Sequence, residues 1–158
     1  MRLLNFILLF LFVIGCSSSP DVIKSDSYKF TYIPDDWDDI DEDKADYAYK
    51  SPGGETIFVS NSVCKRYEST PLKNLKTNLI SGFDNLKTIS EEETSLQGRK
   101  SLRTIATAEI DGVKTHLIIE TVRKHECIYD FILIGTQKHF FDRYRNEYEK
   151  ILLGTKIQ

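Results

Sequence analysis

The alternation of apolar and polar residues predicts a chain built mainly from β-strands. Tyr28–Tyr32 alternates aromatic and polar side chains, which is the pattern of a strand with one buried face. One strand is predicted before Ser51–Gly54 and another after it, because Ser-Pro-Gly-Gly is a strong turn signal. The predicted strands after the first are Asp46–Lys50, Glu55–Cys64, Leu86–Leu96, Leu102–Ile110, Val113–Arg123 and His125–Gly135.

One turn and one apolar run indicate how the strands are arranged. Asp111-Gly112 joins two β-rich segments and both residues tolerate positive φ angles, which predicts a tight antiparallel hairpin. Ile128–Ile134 is apolar with almost no alternation, which is typical of a strand covered on both faces. Asp130 interrupts this run, so we expect its carboxylate at a hydrogen-bonded position or at the end of the sheet.

Two helices are predicted beside the strands. Thr70 is a candidate N-cap with Pro71 at the first helical position, and Gly82 lies where a C-terminal cap is expected. Gln137–Leu153 carries apolar side chains at helical spacing, and Gly154 terminates it. The sequence therefore predicts an α+β fold in which helices cover both faces of an antiparallel sheet, an α/β/α sandwich.

The N-terminal residues have the composition of an export signal. Arg2 precedes the apolar run Ile7–Ile14, which is too short for a transmembrane helix of about 20 apolar residues. Val13-Ile14-Gly15-Cys16 resembles the lipobox of bacterial lipoproteins. The alternative is an ordinary cleaved signal that happens to contain a cysteine at this place.

The lipobox resemblance implies a processed and acylated N-terminus. Residues 1–15 would be removed, and Cys16 would carry the lipid on its sulfur and a further acyl chain on its amine. Ser17 implies sorting to the outer membrane, facing the periplasm, in a cell with two membranes. Residues 16–27 are Ser-rich and are predicted to form a flexible tether between the membrane and the domain.

The beginning of the domain also resembles a known family. Tyr28, Phe30, Pro34 and Trp37 form the pattern Tyr-x-Phe-x-x-x-Pro-x-x-Trp. This pattern is similar to the opening of the PsbP-like fold, which occurs in photosystem accessory proteins and in bacterial lipoproteins. The order of later elements supports the resemblance over most of Ser27–Ile157, so it implies a PsbP-like domain at residues 28–158. The resemblance implies a C-terminal helix over one face of the sheet and an accessory or binding role, and it assigns no functional residue.

The cysteine count fits an exported, lipid-modified protein. Three cysteines would be an awkward odd number in an oxidising compartment, but lipidation of Cys16 leaves Cys64 and Cys127 as a pair. An oxidising envelope favours a disulfide bond between these two residues. The alternative is that both are buried free thiols.

An acidic segment raises the possibility of a calcium site. Asp35–Asp43 carries seven acidic residues, and the alternating Asp39, Asp41 and Asp43 are similar to a calcium loop. The segment lacks the glycine and the distal glutamate that an EF-hand requires, so these three residues are weak candidates. The alternative is a solvated acidic loop or a first helical turn.

A zinc site is the other metal hypothesis that the sequence raises. His125 and Cys127 are two positions apart on a predicted strand and would share a face, with Glu120 or His116 as further ligands. The ligand spacing is weak, and a disulfide-bonded Cys127 could not bind zinc as a thiolate. The sequence therefore predicts no metal centre here.

Motifs for catalysis and for cofactor binding are absent from the sequence. It has no Gly-x-Ser-x-Gly nucleophile elbow, no phosphate loop and no dinucleotide fingerprint, so we expect neither an enzyme nor a cofactor. The formal net charge is −3 and no basic patch is present, which argues against a nucleic-acid partner.

Together these observations predict a lipid-anchored, non-enzymatic envelope protein. It would bind another envelope component, whose identity the sequence does not reveal, and act as a binding or assembly accessory. The alternative function is a small-ligand or calcium-binding lipoprotein that uses Asp35–Asp43. A hydrolase with an unfamiliar site is a third hypothesis.

Overall fold

The computed structural model describes residues 28–42, 44–64 and 69–158. The predicted signal peptide, Cys16, the tether and Asp43 lie outside these residues. Within the described ranges the elements are β1 (Tyr28–Phe30), β2 (Asp38–Asp39), β3 (Tyr47–Lys50), β4 (Thr56–Cys64), α1 (Leu72–Ile80), β5 (Asp84–Leu96), β6 (Arg99–Ile110), β7 (Val113–Lys124), β8 (Cys127–Gly135), α2 (Phe140–Leu153) and β9 (Thr155–Ile157).

Seven of the described strands form one antiparallel sheet in the order β2-β3-β4-β8-β7-β6-β5. The register places Phe58 opposite Leu133, Leu133 opposite Ile118, and Ile118 opposite Ile105. These four side chains form a row across the centre of the sheet and belong to one core cluster. The mostly antiparallel sheet and the two helices of the α+β prediction are thus present.

The sheet contributes to two hydrophobic clusters because successive side chains of a strand point to opposite faces. On β7, Ile118 belongs to the larger cluster, whereas Leu117 and Ile119 belong to the smaller one. The larger cluster includes five side chains of α2, and the smaller one includes Ile80 of α1. The α2 members are Phe140, Tyr144, Tyr148, Ile151 and Leu152. Neither helix in the described part of the chain has the length and apolarity needed to cross a membrane.

Strands β1 and β9 form a separate two-stranded sheet that joins the two ends of the domain. Tyr28 pairs with Ile157, and the Thr31 amide donates to the Gly154 carbonyl at 2.8 Å. A Cβ atom on Gly154 would lie 2.9 Å from the Cβ of Tyr32, so only glycine allows this close approach. Sequence periodicity did not predict β9, because three residues are too few to show an alternating pattern.

Several boundaries differ from the predictions. Helix α1 begins at Leu72 with Pro71 at its N-cap, so Thr70 does not cap it. Gly82 does not have a positive φ angle, and the C-cap is Ser81 in a right-handed conformation. Helix α2 begins at Phe140, three residues later than predicted. Helix ends follow local hydrogen bonding that periodicity does not resolve.

The predicted hairpin turn is confirmed. Asp111 and Gly112 have φ angles of 52° and 78°, so both adopt the left-handed conformation that a two-residue antiparallel hairpin requires. Gln97 and Gly98 repeat this arrangement between β5 and β6, with φ angles of 51° and 72°. These two turns give the long β5–β6–β7 meander its register.

Candidate functional site

A cleft of about 520 Å³ lies between helix α2, the segment that follows β1, and the turn between β3 and β4. We call it the aromatic cleft because Tyr32, Trp37 and Tyr144 line it. Its volume falls within the range of about 300–1,000 Å³ that is typical of ligand pockets. Pro52 closes it on the side of the β3–β4 turn.

Local sequence explains why the aromatic side chains meet here. Pro34 cannot donate to a β-ladder, and its carbonyl accepts a hydrogen bond from the Trp37 amide at 3.0 Å, which closes a turn after β1. This turn places the Trp37 ring edge-on to the Tyr144 ring, with centroids 6.3 Å apart. The Tyr144 hydroxyl accepts a hydrogen bond from Gln137 Nε2 at 3.2 Å. Trp37 therefore contacts the ring of Tyr144, and Gln137 contacts its hydroxyl group.

Charged side chains surround these rings. Asp35, Asp36, Glu147 and Arg143 line the cleft, so the acidic groups outnumber the basic one. The Arg143 guanidinium carbon lies 5.2 Å from the centroid of the Tyr144 ring, which is within the range of a cation–π contact. Glu147 Oε2 is buried and accepts no hydrogen bond from any of the described residues.

Sequence reasoning identified only part of this site. Pro34 and Trp37 belong to the pattern that resembles the PsbP-like fold, and Tyr144 belongs to the predicted apolar stripe of the last helix. Arg143 and Glu147 were missed, because a charged pair four residues apart on a helix is ordinary for a solvated face. The fold of the segment after β1 turns that face into a cleft wall.

A second polar cluster lies between α2 and the sheet. Arg103 donates from Nε to the buried Glu120 carboxylate at 2.7 Å, and both of its terminal nitrogens donate to Glu149 of α2. Thr94 and Ser101 also donate to Glu120. Burial works against the charged guanidinium, but Glu120 and Glu149 raise the pKa of Arg103 above its ordinary value. The cluster fixes the position of α2, and thereby one wall of the aromatic cleft.

Asp130 occupies a hydrogen-bonded position, which is one of the two positions predicted for it. Its Oδ1 accepts a hydrogen bond from Thr121 Oγ1 at 2.7 Å on the neighbouring strand. Burial raises the pKa of this carboxyl group to about 6, although the Thr121 hydrogen bond acts in the opposite direction. Asp130 also lines a small cavity of about 150 Å³ together with Leu75 and Leu79 of α1.

A disulfide bond joins Cys64 and Cys127, which lie directly opposite each other on β4 and β8. Their Cα atoms are 4.0 Å apart, so the bond closes one end of this strand pair. The zinc hypothesis fails here, because His125 lies in the β7–β8 turn instead of on a strand, and Cys127 is disulfide-bonded. His116 lies near the N-terminal end of β7, away from the β7–β8 turn, and its ring stacks on Phe140.

In its described residues the acidic segment is mainly a loop, which is one of the predicted alternatives, and it contains a two-residue strand. Asp38 and Asp39 pair with Lys50 and Tyr49, so β2 forms one edge of the large sheet. Asp39 lines a separate cavity with Asp41. Among the described residues, no group of three or more His, Cys, Asp or Glu side chains could hold a metal ion.

Comparison with known proteins identifies the fold. No protein-family model matches the chain, and no curated protein matches it. CyanoP, the PsbP of the cyanobacterium Synechocystis sp. PCC 6803, superposes with a TM-score of 0.63 at 11% identity over 84% of this chain and 88% of its own.

Two further solved structures share the architecture. LpqN, which is involved in cell envelope biogenesis of Mycobacterium tuberculosis, gives a TM-score of 0.59 at 10% identity over 89% of this chain and 87% of its own. The Ran-binding protein Mog1p of Saccharomyces cerevisiae gives 0.56 at 7% identity over 87% of this chain and 96% of its own. The chain therefore has a PsbP-like fold.

Proposed function

We propose that the protein is a lipid-anchored, non-enzymatic accessory of the bacterial cell envelope. Its domain would bind another envelope component while Cys16 holds it to the membrane, with residues 16–27 as the tether. The anchor would place the domain at the outer membrane, facing the periplasm. The α/β/α layering belongs to this proposal and is supported by the two core clusters, each of which includes side chains of one helix.

The observation that mainly carries the proposal is the disulfide bond between Cys64 and Cys127. Disulfide bonds persist in oxidising compartments and are rare in the cytosol, so this bond supports export. It uses the two cysteines that remain when Cys16 is assigned to the lipid. The disulfide bond and the lipobox resemblance therefore support each other, although the lipobox lies in the N-terminal segment and the disulfide bond lies in the folded domain.

The accessory role is supported by the proteins that share the fold. LpqN is involved in cell envelope biogenesis, and Mog1p is a Ran-binding protein, so this architecture serves envelope function in one case and protein binding in another. Fold alone does not determine function. The aromatic cleft adds a specific feature, because it offers a concave surface on which a partner could be held. The calcium hypothesis stays a prediction for the acidic segment.

The test uses natively expressed protein in intact cells. We expect the wild-type protein in the membrane fraction with a lipid mass on Cys16, and we expect Cys16→Ser to release it and remove that mass. Chemical crosslinking followed by mass spectrometry should give a reproducible envelope partner for the wild type. Full-length, unacylated protein in the cytosol would refute the anchoring, and a measured turnover on any substrate would refute the accessory role.

A further inference from the structure

The aromatic cleft combines π faces with an excess of negative charge. Three acidic side chains and one basic side chain line it, together with the three aromatic rings. Both features attract cations, because the face of an aromatic ring carries negative potential and carboxylates add to it. An anionic ligand would meet repulsion from Asp35, Asp36 and Glu147.

Tyr144 already makes one such contact inside the molecule. The guanidinium of Arg143 lies over the Tyr144 ring at 5.2 Å, so a ring of this cleft accepts a planar cation on its face. Tyr32 is 38% exposed, and Trp37 is only partly buried, so both rings remain accessible to a ligand. The cleft thus offers aromatic surface beyond what its own arginine uses.

Glu147 supplies the more specific requirement. A carboxylate oxygen that is buried without a hydrogen bond costs free energy, because it has lost water and gained nothing in return. Glu147 Oε2 is in this state with respect to the described residues, and Glu147 lines the cleft. Once the carboxylate turns this oxygen toward the cleft, a ligand that donates an N–H to it removes that cost, which a cation without N–H groups could not do.

From these observations we propose that the aromatic cleft binds a cationic group that carries N–H donors, either an alkylammonium or a guanidinium. The accessible rings of Tyr32 and Trp37 contact the apolar stem of the ligand, and Glu147 accepts its hydrogen bond. The source is either a free amine or a lysine or arginine side chain of a partner protein. This site goes beyond the proposed envelope role and does not depend on the anchor, so either can fail without the other.

Trp37 makes the test direct, because it is the only tryptophan of the chain. We would follow its fluorescence while titrating the protein with propylamine, with a capped peptide containing one lysine, and with tetramethylammonium. We expect saturable changes with the first two and binding at least about tenfold weaker with tetramethylammonium. Tighter binding of the peptide than of propylamine would assign the site to a partner side chain, whereas equal binding would assign it to a free amine.

The matched variants separate a specific contact from general charge. Glu147→Gln should weaken binding of the lysine peptide by about tenfold, because it removes the charge and replaces a strong carboxylate acceptor by a weaker amide. Glu126→Gln, in the exposed β7–β8 turn at the opposite end of the sheet, removes the same charge and should leave binding unchanged. Absence of saturable binding would overturn the proposal, as would equal binding of tetramethylammonium or an equal effect of the two variants.

Discussion

Gly135 and Phe140 are packed so closely that no side chain fits between them. A Cβ atom placed on Gly135 would lie 2.3 Å from Cδ2 of the Phe140 ring and 3.1 Å from the Thr56 hydroxyl oxygen. Gly135 ends β8 and Phe140 begins α2, so this contact determines where the helix starts over the sheet. The aromatic cleft depends on it, since α2 forms one of its walls.

Replacing Gly135 by alanine should therefore destabilise the domain. We expect Gly135→Ala to lower the free energy of unfolding by about 2 kcal/mol, which is typical of overpacking in a filled core. Chemical denaturation monitored by circular dichroism measures this change. Gly82→Ala is the matched control, because no atom lies within 4 Å of the position that its Cβ would occupy and its φ angle is ordinary. Equal destabilisation by both substitutions would contradict the packing argument.

The Arg103–Glu120 pair gives a second prediction. Arg103→Met would leave the buried Glu120 carboxylate without its cationic partner, and loss of one partner of a buried pair costs about 3–5 kcal/mol. We expect the free energy of unfolding to fall by about 3 kcal/mol, at the lower end of this range. Arg103 is partly exposed, and Thr94 and Ser101 still donate to Glu120. Equilibrium unfolding in urea measures it.

The control for the buried pair is an exposed one. Lys100 and Glu93 form an ion pair at 3.3 Å with side chains that are 82% and 73% exposed. Surface pairs contribute about 0–1 kcal/mol, so Lys100→Met should change stability very little. If Arg103→Met were as harmless as Lys100→Met, the Arg103 cluster would not hold α2 in place.

Reduction of the disulfide bond should destabilise the domain. The bond links residues 63 positions apart, and the chain-entropy treatment assigns about 4 kcal/mol to a loop of this length. We therefore expect the free energy of unfolding to fall by about 2–4 kcal/mol when a reductant is added. The Cys64→Ser, Cys127→Ser double variant should show the same loss and no further response to reductant. Identical stability before and after reduction would contradict the prediction.

Asp130 predicts a pH dependence with a defined sign. Burial raises its pKa in the folded protein to about 6, above the value of about 3.9 for an unfolded aspartate. The folded protein therefore binds more protons than the unfolded chain between these values, and this group lowers stability as the pH rises from about 4 to about 6. The loss should be roughly 2 kcal/mol, after allowance for the partial exposure of the side chain.

The neutral variant Asp130→Asn isolates this effect. It keeps an oxygen that accepts the Thr121 hydrogen bond but does not titrate. Between about pH 4 and pH 6 the wild type should lose stability relative to the variant, as measured by their unfolding free energies. Above about pH 7 the difference between the two should stay constant. A difference that does not change with pH would show that Asp130 titrates normally.

Much of the fold could be predicted because it depends on local pattern. The strands β4 to β8 and the Asp111-Gly112 hairpin follow from β-rich apolar segments separated by turn signals and from residues that tolerate positive φ. The apolar run Ile128–Ile134 indicated burial on both faces, and its side chains do divide between two clusters. Each of these features depends on a few neighbouring residues, so it can be predicted from the local sequence alone.

The sequence by itself predicted the strand-rich α+β class, the pairing of Cys64 with Cys127 that export favours, and a hydrogen-bonded or sheet-end position for Asp130. Only the tertiary structure decided where β9 pairs, that β2 forms within the acidic segment, and that Arg143 and Glu147 face Tyr32 and Trp37 across a cleft. The physical reason is distance along the chain. The aromatic cleft brings together side chains from segments more than 100 residues apart, and nothing in the spacing of either segment specifies the other.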